Sequence, residues 1–249
     1  MTASPRPLQA EHSHAAIRQR LARPTRPSLL RDAVLGGIDG GVTTFAVVSG
    51  ALGGGFSPMV VVVLGFANLL ADGLSMAVGN YLGTKSQREA LELARREEER
   101  HIDLVPEGER EEVRQLFAAK GFEGEVLDRI VATITEDRRL WVDTMLTEEL
   151  GLTLQVPDPL RAAAATFVAF LVVGLVPLVP FLVPGLSVDH AFLASGVATA
   201  VAFVLVGLAK GRVLERPLLR SGLETLLTGG GAAAVAWTVG AWLRQAFGA

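Results

Sequence analysis

The stretch FSPMVVVVLGFANLLADGLSMAVGNYLG, residues 56–83, decides the fold class. It is longer than the roughly 20 apolar residues, at about 1.5 Å each, that cross a hydrocarbon core, and its one charge is Asp72. A carboxylate at that depth costs about 3 kcal/mol or more unless it faces protein, water or a cation. Ion or proton traffic is the usual reason to keep one; a carboxylate hydrogen-bonded to a neighbouring helix is the alternative. Asn68, Asp72 and Met76 are spaced by four, so they share one helix face, and Asn80 is a further uncharged polar group on the same helix. Asp39, set in GGIDGG at residues 36–41, puts a second acid in the preceding apolar segment. Its nearness to Arg31 leaves an interfacial position open. Asp32, beside Arg31, reads as a helix-start carboxylate at the membrane surface.

Outward from this stretch, the chain of 249 residues is half hydrophobic and only 20% charged, with the apolar residues gathered in long runs. That pattern predicts an all-α, polytopic membrane protein. Five spans are expected: Asp32–Leu52, Met59–Thr84, Arg161–Pro184, His190–Ala209 and Leu223–Leu243. The third is interrupted by Pro177, Pro180 and Pro184, tolerable where neighbours or water satisfy the freed backbone groups. There are no cysteines, which excludes disulfides, iron–sulfur ligation and Cys-based zinc sites. Any metal must use carboxylate, imidazole, thioether, backbone or water.

Residues 1–28 carry several Arg and Pro and no apolar core, so they read as a disordered cytoplasmic tail without a cleavable signal. Arg18, Arg20, Arg23, Arg26 and Arg31 precede the first span, and Lys210, Arg212, Arg216 and Arg220 join the last two. The short loops at 53–57 and 185–189 have neither Lys nor Arg. By the positive-inside rule the N-terminus and the 85–157 insert are cytoplasmic and the C-terminus is outside. Residues 29–84 thus hold spans one and two, and 158–249 hold spans three to five. The Ala- and Arg-rich composition points to a bacterial inner membrane.

The insert between spans two and three is acidic, with 18 Asp/Glu against 11 Lys/Arg. Three helices are expected. The first continues span two to about His101 or Asp103. The second starts at Pro106 and ends near Lys120, with Gly121 as its left-handed cap. The third runs from Gly124 to Leu150, with Val126, Leu127, Ile130, Ile134, Leu140, Trp141 and Met145 as its apolar stripe. Glu98 with His101, Glu109 with Glu112, and Met145 with Glu149 stand three or four apart, so each helix offers a pair of ligands to one place. Carboxylate and imidazole suit divalent iron, manganese or zinc, and a thioether shifts preference toward softer ions. Helical Glu and Arg runs also form solvated faces with weak ion pairs, so spacing alone leaves both readings open.

Taken together, RDAVLGGIDG at 31–40, SMAVGNY at 75–81 leading into Ser86-Gln87, the acidic insert and the three closing spans resemble the vacuolar iron transporter family over residues 29–246. The resemblance implies a dimeric five-span antiporter, not an enzyme, that moves ferrous iron, and often manganese, out of the cytoplasm in exchange for protons. It carries the family's first-span Asp onto Asp39 and its second-span Met onto Met76. It carries the metal-binding set onto Glu98, His101, Glu109, Glu112, Met145 and Glu149. This chain departs from the plant-type pattern at His101, which replaces Glu, at Leu146, which replaces a second Met, and at Asn80, which replaces a Glu. Asp72 is acidic where many relatives are not. The implied partners are divalent metal ions, protons, lipid and a second copy of the chain, with no nucleic acid and no cofactor beyond the transported ion. Gly36, Gly37, Gly40 and Gly41 are expected to allow close approach of helices in the dimer. A membrane-anchored metal sensor or buffer that binds without transporting is the alternative.

Overall fold

The computed structural model describes residues 10, 12–22, 27–213 and 217–247, and every regular element in them is helical. Arg23, Arg26 and Arg216, used above for orientation, lie outside the described residues. Within the segment expected to be disordered, α1 spans His14–Ala22 and buries no residue. The body is formed by α2 (Leu30–Gly53), α3 (Pro58–Leu104), α7 (Pro159–Leu175), α8 (Val188–Val213) and α9 (Leu218–Phe247). The insert holds α4 (Pro106–Ala118), α5 (Gly124–Glu136), α6 (Arg138–Thr144) and a π-helical turn at Met145–Glu149.

Among the described residues, four helices, α2, α3, α8 and α9, are long and apolar enough to cross a membrane. The third expected span is shorter than the hydropathy pattern implied. Its helix α7 stops at Leu175, and a 3-10 turn at Val179–Leu182 follows. Pro177 and Pro180 lack the N–H that an α-helix needs in its ladder, so the helix ends before them.

The turn from α2 to α3 follows from its glycines. Gly55 adopts φ +77°, which a side chain resists. Phe56 N–H then donates to Ala51 O at 3.0 Å and Gly55 N–H to Leu52 O at 3.0 Å. This is the Schellman arrangement that closes a helix, and Pro58 opens α3 at once. The two helices are therefore an antiparallel hairpin. The same device ends α4, where Gly121 at φ +90° sits where the sequence placed it.

The first-span glycines do permit close approach, but to helices of the same chain. A Cβ on Gly36 would lie 2.2 Å from Thr166 O, and one on Gly40 2.4 Å from Phe170 O, both on α7. At the far end a Cβ on Gly240 of α9 would meet Gly50 O at 2.2 Å. Helix α2 is thus clamped between α7 and α9, and these glycines are consumed within the protomer rather than left for a dimer. The body core gathers Val48, Ala51, Val61, Leu69, Phe170 and Leu178, with Met76 packed against it. Along α3, Met59, Val63, Leu70, Leu74, Val78 and Leu82 face outward, the apolar exterior that a membrane helix presents.

Helix α3 runs on unbroken for 47 residues, about 70 Å at 1.5 Å per residue, and so carries the insert beyond the apolar body. The single third insert helix is instead two. Asp137 leaves helical geometry and its carboxylate accepts from Arg139 N and Leu140 N, starting α6 afresh. Leu127, Ile134, Trp141 and Met145 are buried as expected; after the break Leu140 faces out, and within α5 Val126 faces out beside the buried Leu127. Val131, Val142 and Leu146 take inward positions with Ile102 and Val113 in the insert's own core.

Candidate ion pathway and metal centre

In the insert, Glu98 comes from the distal part of α3, and Glu109 from the first turns of α4. The two helices are joined through Val105, whose N–H caps α3 by donating to His101 O at 2.8 Å. The tight corner folds α4 back so that one ligand atom each from Glu98, His101 and Glu109 lie within 4.8 Å of one another. His101 Nδ1 stands 3.5 Å from Glu109 Oε1. Glu98 and Glu109 are buried, and one carboxylate oxygen of each (Oε2) has no hydrogen-bond partner. A buried carboxylate oxygen left without a donor is costly. A cation removes that cost directly.

The electrostatics agree. Burial, then the charges of Glu112 and Glu98, push the Glu109 carboxyl up to about 7, with His101 opposing. Glu98 is raised by burial and by Glu149, and Glu149 by burial and by Glu112. All four glutamates therefore act on one another. Several other charges of the insert are paired: Arg138 with Asp103 at 2.6 Å, Arg95 with Asp143 at 2.5 Å, Arg114 with Asp128 at 2.6 Å, and Lys120 with Glu148. Among the described residues, Glu98, Glu109, Glu112 and Glu149 have no Lys or Arg partner. Glu112 and Glu149 are exposed at the edge of the cluster. Met145 is fully buried in the apolar core, at the first position of the π turn that ends in Glu149. The donor set of carboxylates and imidazole suits a hard or borderline divalent ion.

In the body, Asp39 on α2 and Asp72 on α3 are close enough to interact electrostatically. Both are half-buried. Asp39 also lines a cleft of about 720 Å³ with Arg31, Ile38, Val42, Lys210 and Thr228. Met76, one turn from Asp72, is half-buried at the edge of the apolar core. Asn80 is used differently. Its Nδ2 donates to Asp32 Oδ1 at 3.0 Å, Ala162 O at 3.1 Å and Thr166 Oγ1 at 2.7 Å, tying α3 to α2 and α7. Sequence reasoning missed Asp32 and Thr166 as members of this node, because nothing local links residues so far apart along the chain. Asn68 Nδ2 is buried without a partner, as is Thr43 Oγ1. Thr43 stands four residues after Asp39, a spacing that was legible.

The sequence pattern that defines the VIT family matches residues 30–241. The chain belongs to the VIT family. It is 31% identical to a Toxoplasma gondii protein named vacuolar iron transporter over 234 residues, covering 90% of this chain and 78% of that one. It is 33% identical to vacuolar iron transporter 1 of Arabidopsis thaliana, covering 86% and 85% of the two chains. Against the protein of the same name from Eucalyptus grandis it is 33% identical, covering 86% of each. The resemblance carried by the 31–40 and 75–81 motifs is borne out. These VIT-family relatives are eukaryotic and named for the vacuole, which lends no support to the bacterial inner membrane expected from composition.

Proposed function

We propose that this chain moves ferrous iron, and also manganese, across a membrane out of the cytoplasm in exchange for protons. Metal transport follows from membership of the VIT family and from the names of its relatives. The observation that carries the mechanism is the set of mutually coupled glutamates without Lys or Arg partners, two of them buried with a bare oxygen, at the end of a helix that also carries Asp72 and Met76. Glu98, His101 and Glu109 capture the ion, with Glu112 and Glu149 adding negative potential; Met145 joins them if the π turn opens toward the cluster. The ion then passes along the α3 face to Asp39, Asp72 and Met76. Asn68 lies farther along the same face, and Asn80 holds the helices around the entrance.

In this reading α7 is the third of five spans, the insert is cytoplasmic and the C-terminus is outside. A carboxylate that releases its proton to take a cation, and takes a proton to release it, supplies the exchange. Two copies of the chain form the working unit, a reading that rests on the family resemblance. The test is flux into liposomes with and without an imposed pH gradient, comparing ferrous iron, manganese and zinc. Gradient-dependent flux of iron and manganese supports the antiport reading; metal binding without flux overturns it in favour of a membrane-anchored buffer.

A further inference from the structure

Asp39 and Asp72 lie close enough to interact electrostatically across the α2–α3 hairpin. The helices are antiparallel, so four residues onward on α2 and four residues back on α3 lead to the same level, one turn nearer the Gly55 turn. Those positions are Thr43 and Asn68. Each carries a polar atom sealed from solvent and without a hydrogen-bond partner: Thr43 Oγ1 and Asn68 Nδ2. The register is held at both ends, by the Schellman turn on one side and by the Asn80–Asp32 hydrogen bond on the other. Thr44 and Ser49 also have unpartnered hydroxyls, but they belong to the buried glycine face of α2.

Two unpartnered polar groups level with each other inside an apolar hairpin are costly unless something answers both. The amide nitrogen offers only donors, so its partner must accept. The threonine hydroxyl can donate or accept. A cation cannot answer both, because the bare Asn68 Nδ2 has no lone pair to offer it. Water meets both demands, since it accepts and donates and is held by as few as two polar partners.

We propose that Thr43 and Asn68 bind a water molecule between α2 and α3, one helical turn beyond the Asp39–Asp72 pair on the side of the α2–α3 turn. This deepens, and for its role rests on, the antiport reading. The water is the last station for protons arriving from the outer side, and it stands about 6 Å, one turn of helix, from the level of the carboxylates. It accepts a proton from that side and passes one toward the pair, so water and side chains return to their starting state.

Radiolytic labelling of the full chain in liposomes tests the site itself, because bound water generates hydroxyl radicals that oxidise adjacent side chains. The wild type is expected to be labelled at residues flanking Thr43 and Asn68. Thr43→Val and Asn68→Leu, which keep shape, are expected to lose that labelling, and Thr43→Ser to retain it. Wild-type labelling that is absent, or unchanged in both shape-preserving variants, overturns the proposal. The same samples are then assayed for pH-gradient-driven ferrous flux, expected to fall severalfold in Thr43→Val and to recover in Thr43→Ser. Labelling that behaves as expected without any wild-type flux upholds the water site and overturns the transport reading alone.

Discussion

Asn80 Nδ2 lies 3.0 Å from Asp32 Oδ1, and the same amide reaches Thr166 Oγ1 at 2.7 Å. One side chain on α3 thus joins α2 and α7 at a single level, where Thr166 is fully buried. Thr84 adds a donor to Asn80 Oδ1 at 3.4 Å. The node sits where α3 leaves the apolar body for the insert, so it fixes the lever on which the Glu98–His101–Glu109 cluster is carried. Replacing Asn80 by Leu keeps volume and strips the donors, leaving Asp32 and Thr166 to find other partners. Stability is expected to fall by about 1–3 kcal/mol, read as a lower unfolding midpoint in detergent.

The glycine clamp makes a sharper contrast. Gly40→Ala would place a methyl 2.4 Å from Phe170 O, which belongs to a rigid backbone, so α2 and α7 must separate. Overpacking of this kind costs about 1–3 kcal/mol. Gly79→Ala on α3 meets nothing within 4 Å, and gains helix propensity of about 1 kcal/mol. Thermal unfolding of the two variants is expected to move in opposite directions. Equal effects would show that α2 does not approach α7 as described.

Four of the expected spans were legible, as helices long and apolar enough to cross a membrane, because burial in lipid demands long apolar runs, and the residues that break them stand out. The Gly121 cap was legible for an equally local reason. The break at Asp137 was not read, although an N-cap residue in the middle of a helical run was its signal. That single residue misassigned Leu140 to the core; Val126, before the break, faces out beside the buried Leu127. Candidate ligands Glu98, His101 and Glu109 were legible from spacing, but their convergence depends on the corner at Val105. The node of Asp32, Asn80 and Thr166 depends on tertiary packing of three helices, and no periodicity announces it. The glycines of α2 were correctly read as contact residues, and only packing reveals that α7 and α9 are what they contact.

Binding and stability are expected to be opposed at the Glu98–His101–Glu109 cluster. Glu109→Gln removes a charge that the folded insert holds at a cost, shown by its carboxyl at about 7 against an ordinary 4.5. The metal-free variant is expected to be more stable at neutral pH by on the order of 1–3 kcal/mol. Its affinity for ferrous iron or manganese is expected to drop by at least tenfold, about 1.4 kcal/mol, because an anionic ligand is lost. Calorimetry for affinity and thermal unfolding for stability read the two effects separately. Loss of both stability and affinity would mean that Glu109 is a structural carboxylate.

The same cause sets a pH dependence. A carboxyl raised on folding binds its proton more tightly in the native state, so the native state gains from protonation. Below the ordinary value of 4.5 neither state is penalised; stability then declines as pH rises toward about 7, where Glu109 ionises, and levels off above it. Glu98 and Glu149 are raised and act in the same direction. Asp103, lowered by its hydrogen bond to Arg138, acts oppositely but only at more acidic pH. Metal-free protein is therefore expected to melt progressively earlier between about pH 5 and 7. Saturating manganese is expected to reverse the loss above pH 7, where Glu109 is mostly ionised. A metal-free melting point that rises across this interval would contradict the coupled-glutamate description.

The body offers the decisive test of transport. Asp39→Asn keeps the side chain's shape and removes its charge, and with it the interaction with Asp72 across the hairpin. The insert is untouched, so metal binding at Glu98, His101 and Glu109 should persist, and removing a half-buried acid should not lower the unfolding midpoint. Flux is expected to collapse all the same, because an amide can neither balance a divalent cation nor release a proton for it. Asp72→Asn is expected to behave likewise, since the two acids act on one another. Met76→Leu preserves packing against the apolar core and deletes only the thioether, so it is expected to slow ferrous iron more than manganese, the harder ion. Normal pH-gradient flux in both Asp39→Asn and Asp72→Asn would place the pathway elsewhere, whatever the insert binds.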